Sequence, residues 1–355
     1  MLIKVVFAIP SLRAGGAEKV MSFLAQNLDT NKFESHLLVI ESQKASAYEI
    51  EGIKLTYLNK PNVRSAIPDI YNFIKKEKPE IVMSAIAHLN TMMAFLSPFF
   101  PKTRFIGRET TVSSENNFGK STPLLLKPLF KLKPKLLDCI VCQSNDMRDD
   151  LLNNYNYPKE KLVTINNPVT KSFVLKEKKE NSSRFELITV ARLVPQKGHL
   201  RLIEILAKFN APFRYTIIGE GKELENVFST ARLRNIDEKI RHIPYSDKVG
   251  TFLAESDMFL SGSYVEGFPN AFIESCAVGT PVLTFDAKGG INEIIVNNLN
   301  GFVVKSNEEF LEKLKESFSK NWDGKKIRDS VISKYGEEII LSEYERLFLR
   351  LTKNS

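Results

Sequence analysis

Residues 258–275 read M-F-L-S-G-S-Y-V-E-G-F-P-N-A-F-I-E-S. The apolar start is short enough for a buried strand. The chain then turns around Gly267, and Pro269 with Asn270 reads as a helix start. The helix runs from Ala271 to Val278 and stops at the turn G-T-P. The stretch is therefore the strand, turn and helix of a βα unit, and it carries two glutamates eight positions apart, Glu266 and Glu274. Backbone N–H groups at residues 267–271 sit where a helix N-terminus attracts phosphate oxygens. Glu274, one turn into the helix, suits two vicinal hydroxyls. Glu266, at the strand end, suits a sugar hydroxyl. A helix dipole favours a nearby glutamate in any protein, which accounts for one carboxylate but not for the whole turn.

The same rhythm extends outward in both directions. The second half carries the apolar runs E-L-I-T-V-A-R, R-Y-T-I-I-G, K-I-R-H-I-P-Y, M-F-L-S-G-S, P-V-L-T-F-D and G-F-V-V, with helical stretches at 197–209 and 222–234 between them. The first half carries I-K-V-V-F-A-I, H-L-L-V-I, I-K-L-T-Y-L, I-V-M-S-A-I-A, R-F-I-G and C-I-V-C-Q-S, with a helical segment at 17–28. Near-continuous apolar runs suit parallel strands covered on both faces. Strands alternating with helices predict an α/β architecture of two doubly wound, Rossmann-like domains. The expected division is 1–170, a polar linker at 171–184, 185–335, and a C-terminal amphipathic helix at 336–355 that can pack back on the N-terminal domain. Two such domains predict a cleft at the carboxyl ends of their sheets, where ligands of this architecture bind.

Composition narrows the class. The chain has 355 residues, 43% hydrophobic and 26% charged, enough for two domains with real cores. Its three cysteines, Cys139, Cys142 and Cys276, are too few for a disulfide framework and suit a reducing compartment. Cys139 and Cys142 lie three apart in one strand-like run and so point to opposite faces, which favours two buried thiols over a redox or metal pair. The N-terminus lacks the basic and small-residue signals of a secretory leader, and no apolar run is long enough to span a bilayer. The net charge of +8 is uneven. Residues 1–170 hold 22 Lys and Arg against 16 Asp and Glu, and residues 171–355 hold 28 against 26. A basic excess in one half suggests an anionic partner. No helix-turn-helix or aromatic-basic RNA motif accompanies it, so nucleic acid is not the expected partner.

Two further stretches carry chemistry. In A-R-L-V-P-Q-K-G, residues 191–198, Arg192 ends a strand and Lys197 opens a helix, with Gly198 permitting close backbone approach. Two cations beside a helix N-terminus make an anion site, although surface cations are common. In S-L-R-A-G-G-A-E, Gly15 and Gly16 follow the first strand and allow a tight turn. This is not the G-x-G-x-x-G dinucleotide fingerprint.

Taken together, V-A-R-L-V-P-Q-K-G, E-G-F-P-N-A-F-I-E-S-C-A-V-G-T-P-V, G-G-I-N-E-I and G-G-A-E resemble the retaining GT-B glycosyltransferases of family 4, over almost the whole chain. Glu266 and Glu274 match that family's E-x7-E motif. The resemblance implies a GT-B fold, with the two domains facing each other across the cleft and the N-terminal one taking the acceptor. It implies that Arg192 and Lys197 bind the donor diphosphate, that Glu274 holds the ribose and that Glu266 contacts the donor sugar. Gly15 and Gly16 would line the diphosphate and acceptor side. Gly267, Phe268, Pro269, Asn270 and Ala271 form the donor loop. His88 matches the family's active-site histidine and joins Glu266 in a catalytic role. The implied donor is a nucleotide sugar, UDP-linked with a hexose or N-acetylhexosamine. The implied acceptor is a saccharide carried on a polyprenyl diphosphate or lipopolysaccharide, as in O-antigen or capsule assembly. Retention is expected by front-side attack, with the leaving phosphate accepting the proton.

No Asp-x-Asp occurs, and the cations with a helix dipole can neutralise the leaving diphosphate, so no metal or other cofactor is expected. Residues 120–137, K-S-T-P-L-L-L-K-P-L-F-K-L-K-P-K-L-L, hold five lysines and no acid. They read as an interfacial segment for an anionic membrane surface, with a helix packed on its own domain as the competing reading. The expected location is cytoplasmic, peripheral on the inner face of the cytoplasmic membrane. Two other functions remain open on the sequence. One is other nucleotide-sugar chemistry on the same fold, such as epimerisation. The other is a non-catalytic polyanion-binding protein.

Overall fold

A computed structural model describes residues 2–114, 127–177 and 184–353. The chain divides into two compact units, Met1–Pro168 with Glu338–Ser355, and Val169–Glu337.

The first unit runs β1 (Ile3–Ile9), α1 (Gly16–Asn27), β2 (Phe33–Val39), β3 (Lys54–Tyr57), α2 (Ile67–Glu77), β4 (Ile81–Ala85), α3 (Ala87–Leu96), β5 (Arg104–Arg108), α4 (Lys127–Leu136), β6 (Cys139–Cys142), α5 (Asn145–Tyr155) and β7 (Leu162–Thr164). Among the described residues these strands form one parallel sheet in the order β3-β2-β1-β4-β5-β6-β7. Val5 to Ile9 are all fully buried, as a central strand covered on both faces requires. Six of the strands follow the apolar runs. The seventh, β7, has three residues, too few for a periodic signal.

The second unit runs β8 (Phe185–Val190), α6 (His199–Leu206), β9 (Phe213–Ile218), α7 (Leu224–Leu233), β10 (Ile240–Ile243), α8 (Val249–Ala254), β11 (Met258–Ser261), α9 (Asn270–Ala277), β12 (Val282–Phe285), α10 (Ile291–Ile294), β13 (Gly301–Val304), α11 (Asn307–Ser319) and α12 (Gly324–Tyr335). Its parallel sheet has the order β10-β9-β8-β11-β12-β13. Leu187 and Leu260 belong to one core layer, and their neighbours Ile188 and Phe259 to the other. That alternation is the period of a strand. Residues 171–177 of the expected linker fall within this unit, and 178–183 lie outside the described residues.

The last helix, α13 (Glu337–Lys353), returns to the first unit. Ile340, Tyr344, Leu347 and Phe348 are buried in the same core as Phe7 and Leu37. No described helix is long and apolar enough to cross a membrane.

Cys139 and Cys142 are buried and free. Burial pushes the Cys139 thiol up to about 12 and raises Cys142 as well, so both are inert thiols.

The basic segment needs a correction. Residues 120–126 lie outside the described residues. Lys133, grouped with the surface lysines on its charge, is buried, with its side chain 7% exposed against a Glu109 that is 4% exposed. The Lys133 ammonium donates to Glu109 Oε1, which also accepts from Asn90 Nδ2 at 3.2 Å. Burial opposes the charge on Lys133, but the Glu109 carboxylate and the Tyr157 hydroxyl together more than offset this and hold its pKa above the ordinary lysine value. An ammonium locked into this pair is not available to a lipid headgroup. Lys135, by contrast, is exposed.

Candidate active site

In a doubly wound sheet, loops on the two sides of the point where strand order reverses leave room for a ligand. In the second unit that point lies between β8 and β11. Arg192 and Lys197 follow β8, and Glu266 through Ala271 follow β11.

Lys197 and Glu266 meet. Lys197 Nζ lies 2.6 Å from Glu266 Oε1 and 2.7 Å from Oε2. Ser263 Oγ donates to Glu266 Oε1 at 2.6 Å. The Lys197 and Glu266 side chains are 21% and 10% exposed, so the pair is partly desolvated and stronger than a surface bridge. Sequence reading selected both residues but gave them separate tasks. In the free protein each is the other's partner.

Backbone packing holds them there. Gly198, at φ +60, sits so close to the next loop that an added Cβ would lie 1.9 Å from the Gly262 carbonyl oxygen. The Tyr264 N–H donates to Gln196 O at 2.9 Å, and the Glu266 N–H donates to Lys288 O at 2.9 Å. Gly289, at φ +117, packs against the Glu266 backbone, where a Cβ would meet its carbonyl oxygen at 2.1 Å. This is the structural use of the G-G-I-N-E-I segment. Loops after β8, β11 and β12 thus lock together around Glu266.

Arg192 is exposed, and its carbonyl accepts from His199 Nε2 at 3.1 Å. That bond fixes the proton on Nε2, and burial lowers the His199 pKa, so the ring is a neutral strut under the loop. Pro269 caps α9 at its N-terminus, and Asn270 is the first helical residue. Glu274 is buried, 8% exposed, one turn in. The Phe268 ring is buried against Tyr335, with centroids 5.3 Å apart at 71°. It belongs to the core, so residue 268 can offer a ligand only its backbone. Gly267 and Pro269 are also buried, and Asn270 and Ala271 are partly exposed.

In the first unit the reversal lies between β1 and β4. Gly15 and Gly16 follow β1, and His88 follows β4. Gly15 has both backbone groups engaged by one side chain. Its N–H donates to the Tyr48 hydroxyl at 3.1 Å, and that hydroxyl donates to its carbonyl at 3.0 Å. His88 is exposed in the first turn of α3, and partial desolvation lowers its pKa. Ile86, just before that helix, has φ +75, a conformation that strains a β-branched residue by about 1–3 kcal/mol. Such strain is concentrated at functional sites.

Sequence reading missed Ser263, His199, Tyr48 and Arg201. Tyr48 and Arg201 act on residues 33 and 62 positions away, while Ser263 and His199 act on residues three and seven positions away that no motif marks as their partners.

The comparisons with known proteins agree with this fold. The family model of Glycosyl transferases group 1 matches residues 171–338. The model of Glycosyltransferase Family 4 matches residues 14–173. A Campylobacter jejuni N-acetylgalactosamine-N,N'-diacetylbacillosaminyl-diphospho-undecaprenol 4-alpha-N-acetylgalactosaminyltransferase is 26% identical over 322 residues, covering 85% of this chain and 86% of its own. A glycosyltransferase from Rickettsia africae has the same fold, with a TM-score of 0.84 at 20% identity over the whole of both chains. Anabaena HepE, solved in complex with UDP, superposes with a TM-score of 0.79 at 13% identity, over 98% of this chain and all of its own. With one glycosyltransferase model over each unit and solved glycosyltransferases of the same fold, this chain belongs to the family 4 glycosyltransferases of GT-B fold.

Proposed function

We propose that this glycosyltransferase moves a hexose or N-acetylhexosamine from a UDP-sugar to a saccharide carried on a polyprenyl diphosphate or lipopolysaccharide, with retention and without a metal ion, at the inner face of the cytoplasmic membrane. The observation that carries this reading is the Lys197–Glu266 pair beside Ser263, a cation and a sugar-hydroxyl acceptor held side by side. Two similarities support it. The Campylobacter relative's name describes transfer to an undecaprenol-linked saccharide, and the HepE complex contains UDP.

In this reading the diphosphate takes Lys197 from Glu266 and engages Arg192 and the backbone at the N-terminus of α9. Charge growing on the leaving diphosphate then meets a preorganised cation pair and a helix dipole. Glu266, released from Lys197, accepts from the donor sugar. Glu274 holds the ribose, and His88 with the Gly15–Gly16 turn serves the acceptor side. The acceptor hydroxyl attacks the anomeric carbon on the face from which the diphosphate departs. A leaving-group oxygen takes its proton, so no covalent carboxylate intermediate is needed.

A thermal-protection panel tests the donor. UDP, UDP-glucose, UDP-N-acetylglucosamine and UDP-N-acetylgalactosamine should raise the unfolding midpoint, while the ADP and GDP counterparts should not. At about 100 times Kd, bound donor stabilises by about 2.7 kcal/mol, which a melting curve resolves. Protection by ADP-sugars alone would overturn the choice of base. Release of UDP only when acceptor is added distinguishes transfer from epimerisation. Excess chelator should leave the transfer rate unchanged. Loss in chelator with recovery on magnesium or manganese would refute metal independence.

The membrane reading now rests on Lys120, Lys127, Lys131 and Lys135. Each adds about 1 kcal/mol near an anionic surface, and binding should weaken as salt rises. Co-sedimentation with anionic liposomes should fall when these four become glutamine and stay unchanged for Lys133→Gln. Equal binding by the wild type and the four-lysine variant would remove residues 120–137 from the interface.

A further inference from the structure

Arg201 lies in the first turn of α6, just after the Lys197 loop. It carries no part of the chemistry assigned above. Its surroundings are unusual for a surface arginine. The guanidinium carbon sits 3.5 Å from the centroid of the Phe285 ring and 4.2 Å from that of Tyr264. Phe285 is buried, and Tyr264 is 58% exposed. Arg201 Nη2 donates to the Ser263 carbonyl at 2.8 Å. Its Nε is buried without a hydrogen-bond partner, 3.1 Å from where a Cβ on Gly198 would lie.

We propose that Arg201 is the positioning residue of the donor-sugar carboxylate, setting Glu266 through the Ser263 backbone. The inference rests on the reading of Glu266 given under Proposed function. The chain of contacts is short. Arg201 holds the Ser263 carbonyl, the Ser263 hydroxyl holds Glu266 Oε1, and Lys197 holds both carboxylate oxygens. The planar guanidinium fork lies against two aromatic rings, which restrain it while Nη2 donates to the loop. A compact ammonium would not reproduce both the flat contact with the rings and the directed bond to the carbonyl. When a diphosphate draws Lys197 away, Arg201 and Ser263 are what remain to hold Glu266 in place for the sugar.

The experiment compares Arg201→Met with wild type in two measurements on the intact protein. The first is hydrogen exchange of the Tyr264 and Glu266 amides, which are bonded to Gln196 and Lys288. Losing a charged hydrogen bond should speed their exchange by about tenfold. The second is affinity for UDP and for the UDP-sugar that protects best. The sugar nucleotide should weaken by about tenfold and UDP by less than about twofold, because only the sugar meets Glu266. In a Glu266→Ala background, Arg201→Met should add nothing. Unchanged exchange overturns the proposal, as does equal weakening of UDP and the sugar nucleotide, which a merely structural arginine would produce. An additive effect in the Glu266→Ala background does so too. Should Arg201→Met fail to fold, Arg201→Lys keeps the stem and the charge and should shift the same two readouts by about threefold. Behaviour like wild type in that variant refutes the role of the fork. A wild type that binds no sugar nucleotide would count against the donor reading alone, and the exchange result would still decide the loop.

Discussion

Lys197→Ala lowers the rate of sugar transfer by about a hundred- to a thousandfold, the loss seen when one preorganised donor to a developing anion is removed. The free protein's geometry adds two expectations. Lys197 is not a solvent-facing cation; its side chain is 21% exposed and tied to both oxygens of Glu266. Removing it leaves that carboxylate with the Ser263 hydroxyl as its recorded side-chain partner, at a cost of about 1–3 kcal/mol, so the melting midpoint falls modestly while the fold survives. The pair also competes with the ligand. Glu266→Gln frees Lys197 and removes a like charge from beside the diphosphate, so UDP should bind about three- to tenfold more tightly while transfer collapses. Lys197→Ala should weaken UDP. Initial rates at saturating donor and calorimetric titration with UDP check both. Turnover of Lys197→Ala within about threefold of wild type, or UDP affinities that move in the same direction in the two variants, would remove the pair from the donor site.

Lys133→Met unfolds the first unit at a midpoint about 10 °C lower. The substitution leaves Glu109, 4% exposed, as a buried carboxylate without its cation. Breaking a buried pair from one side costs about 3–5 kcal/mol, and each kcal/mol moves a unit of this size by about 2–4 °C. The sign reverses when both charges go. Lys133→Met with Glu109→Gln should recover most of the loss, because a neutral buried pair avoids the desolvation penalty of two ions. Calorimetry on the two variants decides this. A shift under about 1 °C in Lys133→Met would mean that the pair is solvated, and Lys133 would rejoin the surface lysines.

These residues also mark how far the sequence could be read. Among the described residues, twelve of the thirteen strands carry apolar runs that stand out against polar neighbours, most plainly those such as Ile81–Ala85 and Met258–Ser261 that are buried along their whole length. The thirteenth, Leu162–Thr164, has three residues and leaves no pattern. Arg192, Lys197, Glu266 and Glu274 could be picked out as candidates because strand ends that open helices concentrate binding chemistry, and each motif is local. Pairing was not legible. Lys133 and Glu109 stand 24 positions apart, and Lys197 and Glu266 stand 69 apart. A lysine among leucines and prolines looks the same whether it faces water or a buried carboxylate. The place of the Phe268 ring was not legible either: it packs in the core on Tyr335, which leaves the backbone of residue 268 to the loop.

The return of α13 to the first unit makes the second unit an insertion. Residues 169–337 interrupt a domain whose sequence resumes at 338. The two ends of the inserted piece are strapped together, since the Val169 N–H donates to Tyr335 O at 2.8 Å and Val169 bridges Gly336. During synthesis, the first half of the chain emerges without the helix that completes its core. Phe7 and Phe33 wait for Phe348, and the buried Arg108 waits for the Tyr344 hydroxyl, which it reaches at 3.1 Å. The second unit can close on itself first. For anyone building chimaeras between relatives, the cuts belong beside Val169 and Gly336, where the second unit could be lifted out whole. A single crossover at residue 170 would give the first unit a foreign last helix, with another protein's side chains against Phe7 and Arg108.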